Sequence, residues 1–154
     1  MIYSVSSLFD LSHTLIADYI GAEDFPHIIL DKIEDIISSI EAELIRRGFD
    51  KLDGGVFVHS SATVEKYSVI KGPCIIDEGA EIRTGAYIRG RAVIGKRAVV
   101  GNSSEIKNSV LFDGAAVPHY NYIGDSILGY KAHFGAGAIA SNLKSDRSEG
   151  IVKT

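Results

Sequence analysis

Residues 76–106, IDEGAEIRTGAYIRGRAVIGKRAVVGNSSEI, decide the fold, because an apolar residue returns at every sixth position. Ile76, Ile82, Ile88, Ile94, Val100 and Ile106 keep the beat, Val58, Val64 and Ile70 precede it, and Phe112 follows. Four residues after each comes a second series: Ala62, Ser68, Cys74, Ala80, Ala86, Ala92, Ala98, Ser104, Val110 and Ala116. All are small except Val110. The pattern resumes with Tyr122, Leu128 and Phe134, accompanied by Ser126, Ala132 and Ala138. Between Phe112 and Tyr122 the interval is ten, and that gap holds PHYN with His119. A ten-residue interval cannot keep a period of six. The chain is therefore expected to leave a face there and present His119 away from the packed interior.

Six residues make one short strand and a turn, and three such units close a triangular coil. The large apolar residue fills the prism and the small one fits where the chain bends. No coil buries its interior alone, so successive coils must stack. The expectation is a mainly β chain: a parallel β-helix of about four coils over residues 56–147, followed by a tail at 148–154. Gly79, Gly85, Gly95 and Gly101 are expected in turns that require φ > 0. Cys74 sits in a corner slot and is expected to be a buried, inert thiol.

Residues 1–52 read as a small helical segment. Asp24 is a candidate cap for a helix with Pro26 in its first turn, where a missing N–H costs nothing. Ile29, Ile33, Ile36, Ile40 and Leu44 recur at helical steps, and Ile37 and Ile45 widen the stripe. Arg46 and Arg47 suit the C-terminal end of the dipole, and Gly48 stops the helix. A shorter helix is expected from about Ser7 to Tyr19, with Leu8, Leu11, Leu15 and Ile16 as its stripe and Gly21 at its end. This apolar face needs a partner surface, either the β-helix or another subunit.

Composition narrows the function. With 154 residues, 45% of them hydrophobic, the chain suffices for one ordinary core. A net charge of −4 gives no electrostatic footprint for nucleic acid or an anionic membrane. A single cysteine excludes an internal disulfide and a cysteine-based zinc site. The N-terminus lacks the pattern of a signal peptide, and no apolar run is long enough to span a bilayer. A cytoplasmic protein is expected.

The hexads resemble those of the hexapeptide-repeat acyltransferases, whose coils wind left-handed against the usual crossover rule. Within that superfamily, VGNSSEIKNS, PHYNYIGDSILG and FGAGAIASN, between Arg89 and Asn142, are similar to the acetyltransferase domain of bifunctional N-acetylglucosamine-1-phosphate uridyltransferase and its archaeal sugar-phosphate relatives. The resemblance implies a left-handed parallel β-helix and a homotrimer with active sites in the clefts between prisms. It also implies an acetyl-CoA-dependent transferase acting on an amino-sugar phosphate such as glucosamine 1-phosphate. His119 falls on the family's general base, a role suited to an imidazole, which can accept the amine's proton. Arg89 and Lys107 fall on the positions that hold the sugar phosphate, where two cations meet a dianion. Tyr122 falls on a sugar-contacting tyrosine, and Asn142 on an asparagine near both the sugar and the acyl donor. Acetyl-CoA is implied as co-substrate, and no metal is expected.

Each position also has a plainer reading. His119 is then a surface histidine, Arg89 and Lys107 are solvated charges, and Asn142 is a turn residue. Tyr122 occupies an inward-type slot, so a core role competes with sugar contact. His119 and His133 could ligate a metal only with a third histidine, and His59 lies several coils away. Two departures from the family stand out. His133 replaces a sugar-contacting asparagine, and Ser148 replaces a lysine, leaving Lys144 and Arg147 as displaced candidates for the coenzyme. The sequence also ends one or two strands past the site, and no nucleotidyltransferase half precedes the repeat. A non-catalytic trimeric module binding a sugar phosphate or nucleotide sugar, or a fragment of a longer enzyme, is therefore the alternative.

Overall fold

A computed structural model describes residues 4–141 as a mainly β, parallel solenoid with short helices at its N-terminal end. Each of its three faces carries five rungs. The first face stacks Val56–His59, Cys74–Ile76, Ala92–Ile94, 109–111 and 126–128. The second stacks Thr63–Val64, Glu81–Ile82, Val99–Asn102, Ala116–His119 and the isolated bridge at His133. The third stacks Val69–Ile70, Tyr87–Ile88, 105–107, 122–124 and Ile139–Ala140. The helix thus has five turns where the hexads suggested about four, the last closing on Ile139–Ala140.

The register explains where the hexads fail. Val56, Cys74 and Ala92 stack 18 residues apart, but Ala92, Ser109 and Ser126 stack 17 apart. One residue is lost at each of the last two passages from the third face to the first. The chain bends there through a single residue with left-handed φ, Asn108 at 47° and Asp125 at 48°, side chains that tolerate that region. The interior series therefore runs Val100, Ile106, Leu111, Val117, Ile123, Leu128, and all six side chains are buried. Phe112 lies outside the prism, packed tilted on Phe9 with ring centroids 5.3 Å apart. The small series shifts with it to Ser109, Ala115 and Asn121, so Val110 was the exception because it is not a corner residue. No break occurs at PHYN: the two slips flank it, and Val117 and Ile123 keep their spacing of six around His119.

Left-handed residues form columns at the corners. Gly79, Arg97, Gly114 and Lys131 make one, and Tyr67, Gly85, Ser103, Tyr120 and Gly137 another. Gly79 and Gly85 thus fill the expected role, at φ 64° and 75°. Gly95 and Gly101 do not. A Cβ on Gly95 would meet the Phe112 carbonyl carbon at 2.7 Å, and one on Gly101 would meet Pro118 O at 1.7 Å. Close rungs, rather than φ, require glycine there. Cys74 is fully buried, and burial pushes its thiol up to about 12.

The N-terminal segment holds α1 (Val5–Leu8), a 3-10 turn (Leu11–His13), α2 (Ala17–Ile20), α3 (Pro26–Ser39) and α4 (Glu41–Arg46). The single helix expected from Ser7 to Tyr19 is broken. Asp10 turns the chain by accepting from the Ser12 N–H at 3.1 Å, which starts the 3-10 turn instead. Phe25, not Asp24, caps α3, with Pro26 in the first turn. The long helix breaks at Ile40, whose ψ of 6° tilts α4 away and leaves Ile45 half-exposed. Residues Phe49–Leu52, expected within the helical segment, instead pair antiparallel with Val56–His59 across Asp53-Gly54-Gly55, a sequence suited to a tight hairpin.

The helices cover the first face. Outward residues Phe57, Ile75, Val93 and Val110 join Ile29, Ile33, Ile37 and Leu44 in one buried cluster. Each such aliphatic side chain contributes roughly 1.5–3 kcal/mol on full burial. The second and third faces carry no helix among the described residues.

Candidate active site

Three outward positions of the third face stack in register: Tyr87, Glu105 and Tyr122. Two residues on, Arg89, Lys107 and Gly124 stack the same way, Lys107 and Gly124 by direct register and Arg89 through its N–H to Ile106 O at 2.8 Å. The β-helix therefore brings Arg89 and Lys107 together, one rung apart on one corner. Neither charge is idle. Arg89 Nη1 donates to Glu105 Oε1 at 2.7 Å, and the Glu105 carboxylate holds the guanidinium above its ordinary pKa. Lys107 Nζ donates to Asp125 Oδ2 at 3.1 Å, and Asn108 Nδ2 to Asp125 Oδ1 at 2.7 Å.

These residues line a cavity of about 340 Å³ where the third face turns under α3. Glu34, Gly72, Gly90, Arg91, Asn108 and Asp125 line it with Arg89 and Lys107. Gly90 adopts φ 97°, and a Cβ there would meet Gly72 O at 2.5 Å, so the corner backbone admits no side chain. Arg91 reaches up to α3, its Nη2 donating to Leu30 O at 2.8 Å. Arg91 Nε and Asn108 Oδ1 are buried without a hydrogen-bond partner.

His119 stands at the other edge of the same face. It ends the strand Ala116–His119, just before the corner residue Tyr120 at φ 51°, and its side chain is exposed. Buried Asn121 fixes this corner. Its Oδ1 accepts from the His119 N–H at 3.0 Å, and its Nδ2 donates to Gly135 O and Ala138 O at 2.8 and 3.2 Å. Gly101 lets the rung below pass tightly under Pro118, immediately before His119.

Tyr122 lies between the two edges. It is half-buried and outward, since Ile123 fills the interior slot, so the core reading of Tyr122 fails. A Cβ on Gly124 would meet the Tyr122 hydroxyl at 2.7 Å, which places the ring over Gly124, toward the Lys107 corner. His133 bridges to Ala116 on the second face, beside the start of the strand that ends in His119, and not at the cation corner. Asn142 and Lys144 lie outside the described residues. Among the described residues, no group of three His, Cys, Asp or Glu comes together to hold a metal.

Arg89, Lys107 and His119 were singled out by the family resemblance rather than by the hexads themselves. Asp125, Asn108 and Asn121 were missed, although each was marked by an unusual residue: two polar corners where the period slips, and an asparagine in a column of Ala and Ser.

Residues 70–144 match the family model of the GMPPB C-terminal domain. The bifunctional sugar-1-phosphate nucleotidylyltransferase/acetyltransferase of Sulfurisphaera tokodaii is 39% identical over 116 residues, covering 64% of this chain and 29% of that protein. The bifunctional protein GlmU of Methanococcus maripaludis is 41% identical over 46 residues, covering 30% of this chain and 11% of its own. The chain thus spans less than a third of the length of these curated relatives. Among solved structures, the acetyltransferase domain of PglB from Neisseria gonorrhoeae FA1090 superposes with a TM-score of 0.54 at 20% identity. That match covers 69% of this chain and 51% of the other, and it is a likeness of fold.

Proposed function

We propose that this chain, whose residues 70–144 match the GMPPB C-terminal domain, transfers an acetyl group from acetyl-CoA to the amine of an amino-sugar phosphate such as glucosamine 1-phosphate. The observation that carries the reading is the stacked Arg89–Lys107 pair on one edge of a face whose other edge ends in His119. His119 and Gly124 are five residues apart, a span of at most about 17 Å in extended chain. The long Arg89 and Lys107 side chains close that span from one end and the imidazole from the other, with Tyr122 as the floor.

In the proposed reaction the phosphate lies on Arg89 and Lys107, which give it charge-assisted hydrogen bonds. The sugar crosses Tyr122 and brings its amine to His119. The imidazole takes the amine's proton as nitrogen attacks the thioester carbonyl carbon. The carbon–sulfur bond then breaks, and the coenzyme leaves as thiolate and collects the proton from His119. His119 faces solvent within one chain, which fits a site completed by a neighbouring prism of a homotrimer. Asn142 and Lys144 are assigned to the acyl donor, His133 to the sugar. The division into 1–52, 56–147 and 148–154 and a cytoplasmic setting belong to the same proposal.

Release of free coenzyme A thiol with glucosamine 1-phosphate tests this reading. His119→Ala is expected to slow it at least about 100-fold, the usual share of a general base. Equal rates for the two proteins would overturn it.

A further inference from the structure

The cavity beside the cation corner is larger than one phosphate uses. At about 340 Å³ it falls in the range, roughly 300–1,000 Å³, of pockets that take whole small molecules. Its lining also holds chemistry that a sugar monophosphate leaves unused. Arg89 and Lys107 each already have a carboxylate partner, Glu105 and Asp125. Arg91 has none among the described residues: its one bond is to the neutral Leu30 carbonyl, which pins the guanidinium against α3. Glu34, from α3, lines the same cavity as an exposed carboxylate with no side-chain bond or ion pair among the described residues. A fixed, unneutralised guanidinium suits a second phosphate. A free carboxylate suits vicinal hydroxyls, as carboxylates hold ribose in dinucleotide sites.

Resting on the reading of Arg89 and Lys107 as the phosphate site, we propose that the acceptor is a nucleoside diphosphate amino sugar. Its first phosphate lies on Arg89 and Lys107, its second on Arg91, and its ribose hydroxyls on Glu34. The sugar runs across Tyr122 toward His119, and the nucleotide runs the other way, around the corner and under α3. The helical segment thereby becomes part of the acceptor site rather than a cover for the first face alone.

Calorimetric titration of the whole chain with UDP-glucosamine and with glucosamine 1-phosphate tests the assignment. UDP-glucosamine is expected to bind at least about tenfold more tightly. Arg91→Gln removes most of that advantage, weakening UDP-glucosamine far more than the monophosphate. Glu34→Gln, on an exposed position of α3 that does not hold the fold, removes part of it with an unchanged melting temperature. Equal or weaker binding of UDP-glucosamine to the native chain overturns the inference and leaves the Arg89–Lys107 phosphate site standing. Binding of neither ligand overturns both.

Discussion

Lys107 Nζ lies 3.1 Å from Asp125 Oδ2, with Lys107 itself one rung above Arg89 on the same corner. The pairing shows how a β-helix builds a charged site. Residues 18 or 17 apart in sequence fall about 4.8 Å apart in space, so one column of outward positions becomes a cluster.

If that column holds the acceptor phosphate, Arg89→Ala and Lys107→Ala should each weaken glucosamine 1-phosphate binding about tenfold or more. Their melting temperatures should stay close to native, because exposed ion pairs add little stability. A titration paired with a thermal melt checks both. A loss of binding that only tracks a loss of folding would count against the phosphate role.

Asn121 is a positioning residue for His119. Asn121→Ala leaves the His119 N–H and the Gly135 and Ala138 carbonyls without their side-chain partner. A cost of about 1–3 kcal/mol is expected in urea unfolding. Turnover should fall while the KM for the acceptor, which the proposed reaction assigns to the Arg89–Lys107 corner, changes little. Asn121→Asp, which keeps the acceptor for His119, should recover more of the turnover than Asn121→Ala does.

The register assigns opposite surroundings to Leu111 and Phe112. Leu111 fills the prism and Phe112 packs under the helical segment. Leu111→Ala should cost about 2–5 kcal/mol. Phe112→Ala should cost about 3–5 kcal/mol and, unlike Leu111→Ala, should expose the segment around Phe9 to protease. Cleavage patterns near Phe9 that do not differ between the two would contradict the shift to Leu111.

Asp77 is 1% exposed, with its Oδ2 unpaired. Burial raises its pKa above the ordinary 3.8 and nearby Asp113 adds to the rise, while the Glu78 N–H, Lys96 and Arg47 oppose it. A group raised in the folded state gives its full stability below its unfolded pKa and loses it as pH climbs through the folded value. At pH 7 the ionised carboxylate is therefore a liability. Asp77→Asn should raise the melting temperature by a few degrees at pH 7, and the gain should vanish near pH 3. A variant less stable than the native chain at pH 7 would refute the sign.

Much of the architecture was legible in the hexads, since Ile76 through Ile106 sit in the prism where their spacing put them. The period misled only where it slipped. A deletion of one residue at Asn108 is invisible to a count of six, because Phe112 is as apolar as Leu111 beside it. Two signals were nevertheless present. Val110 was too large for its column, and Phe57, Ile75, Val93 and Val110 put an apolar residue at the outward position of successive rungs of one face. The second signal marks the face the helices cover. The break assigned to PHYN was the sum of the flanking slips, so the idea that the gap marks His119 does not survive, although His119 does sit exposed at a corner.

The sequence by itself determined the coil and its interior ladder, because a repeat of six constrains each side chain to point in or out, while Arg89, Lys107 and His119 were singled out by the family resemblance. Tertiary structure alone decided that Tyr122 faces outward, that Asp125 and Glu105 hold the two cations, and that α3 closes a cavity over Arg91. Those contacts join residues 16 to 61 positions apart. Stacking register and helix docking set such distances, and both depend on where a single residue is dropped at a corner.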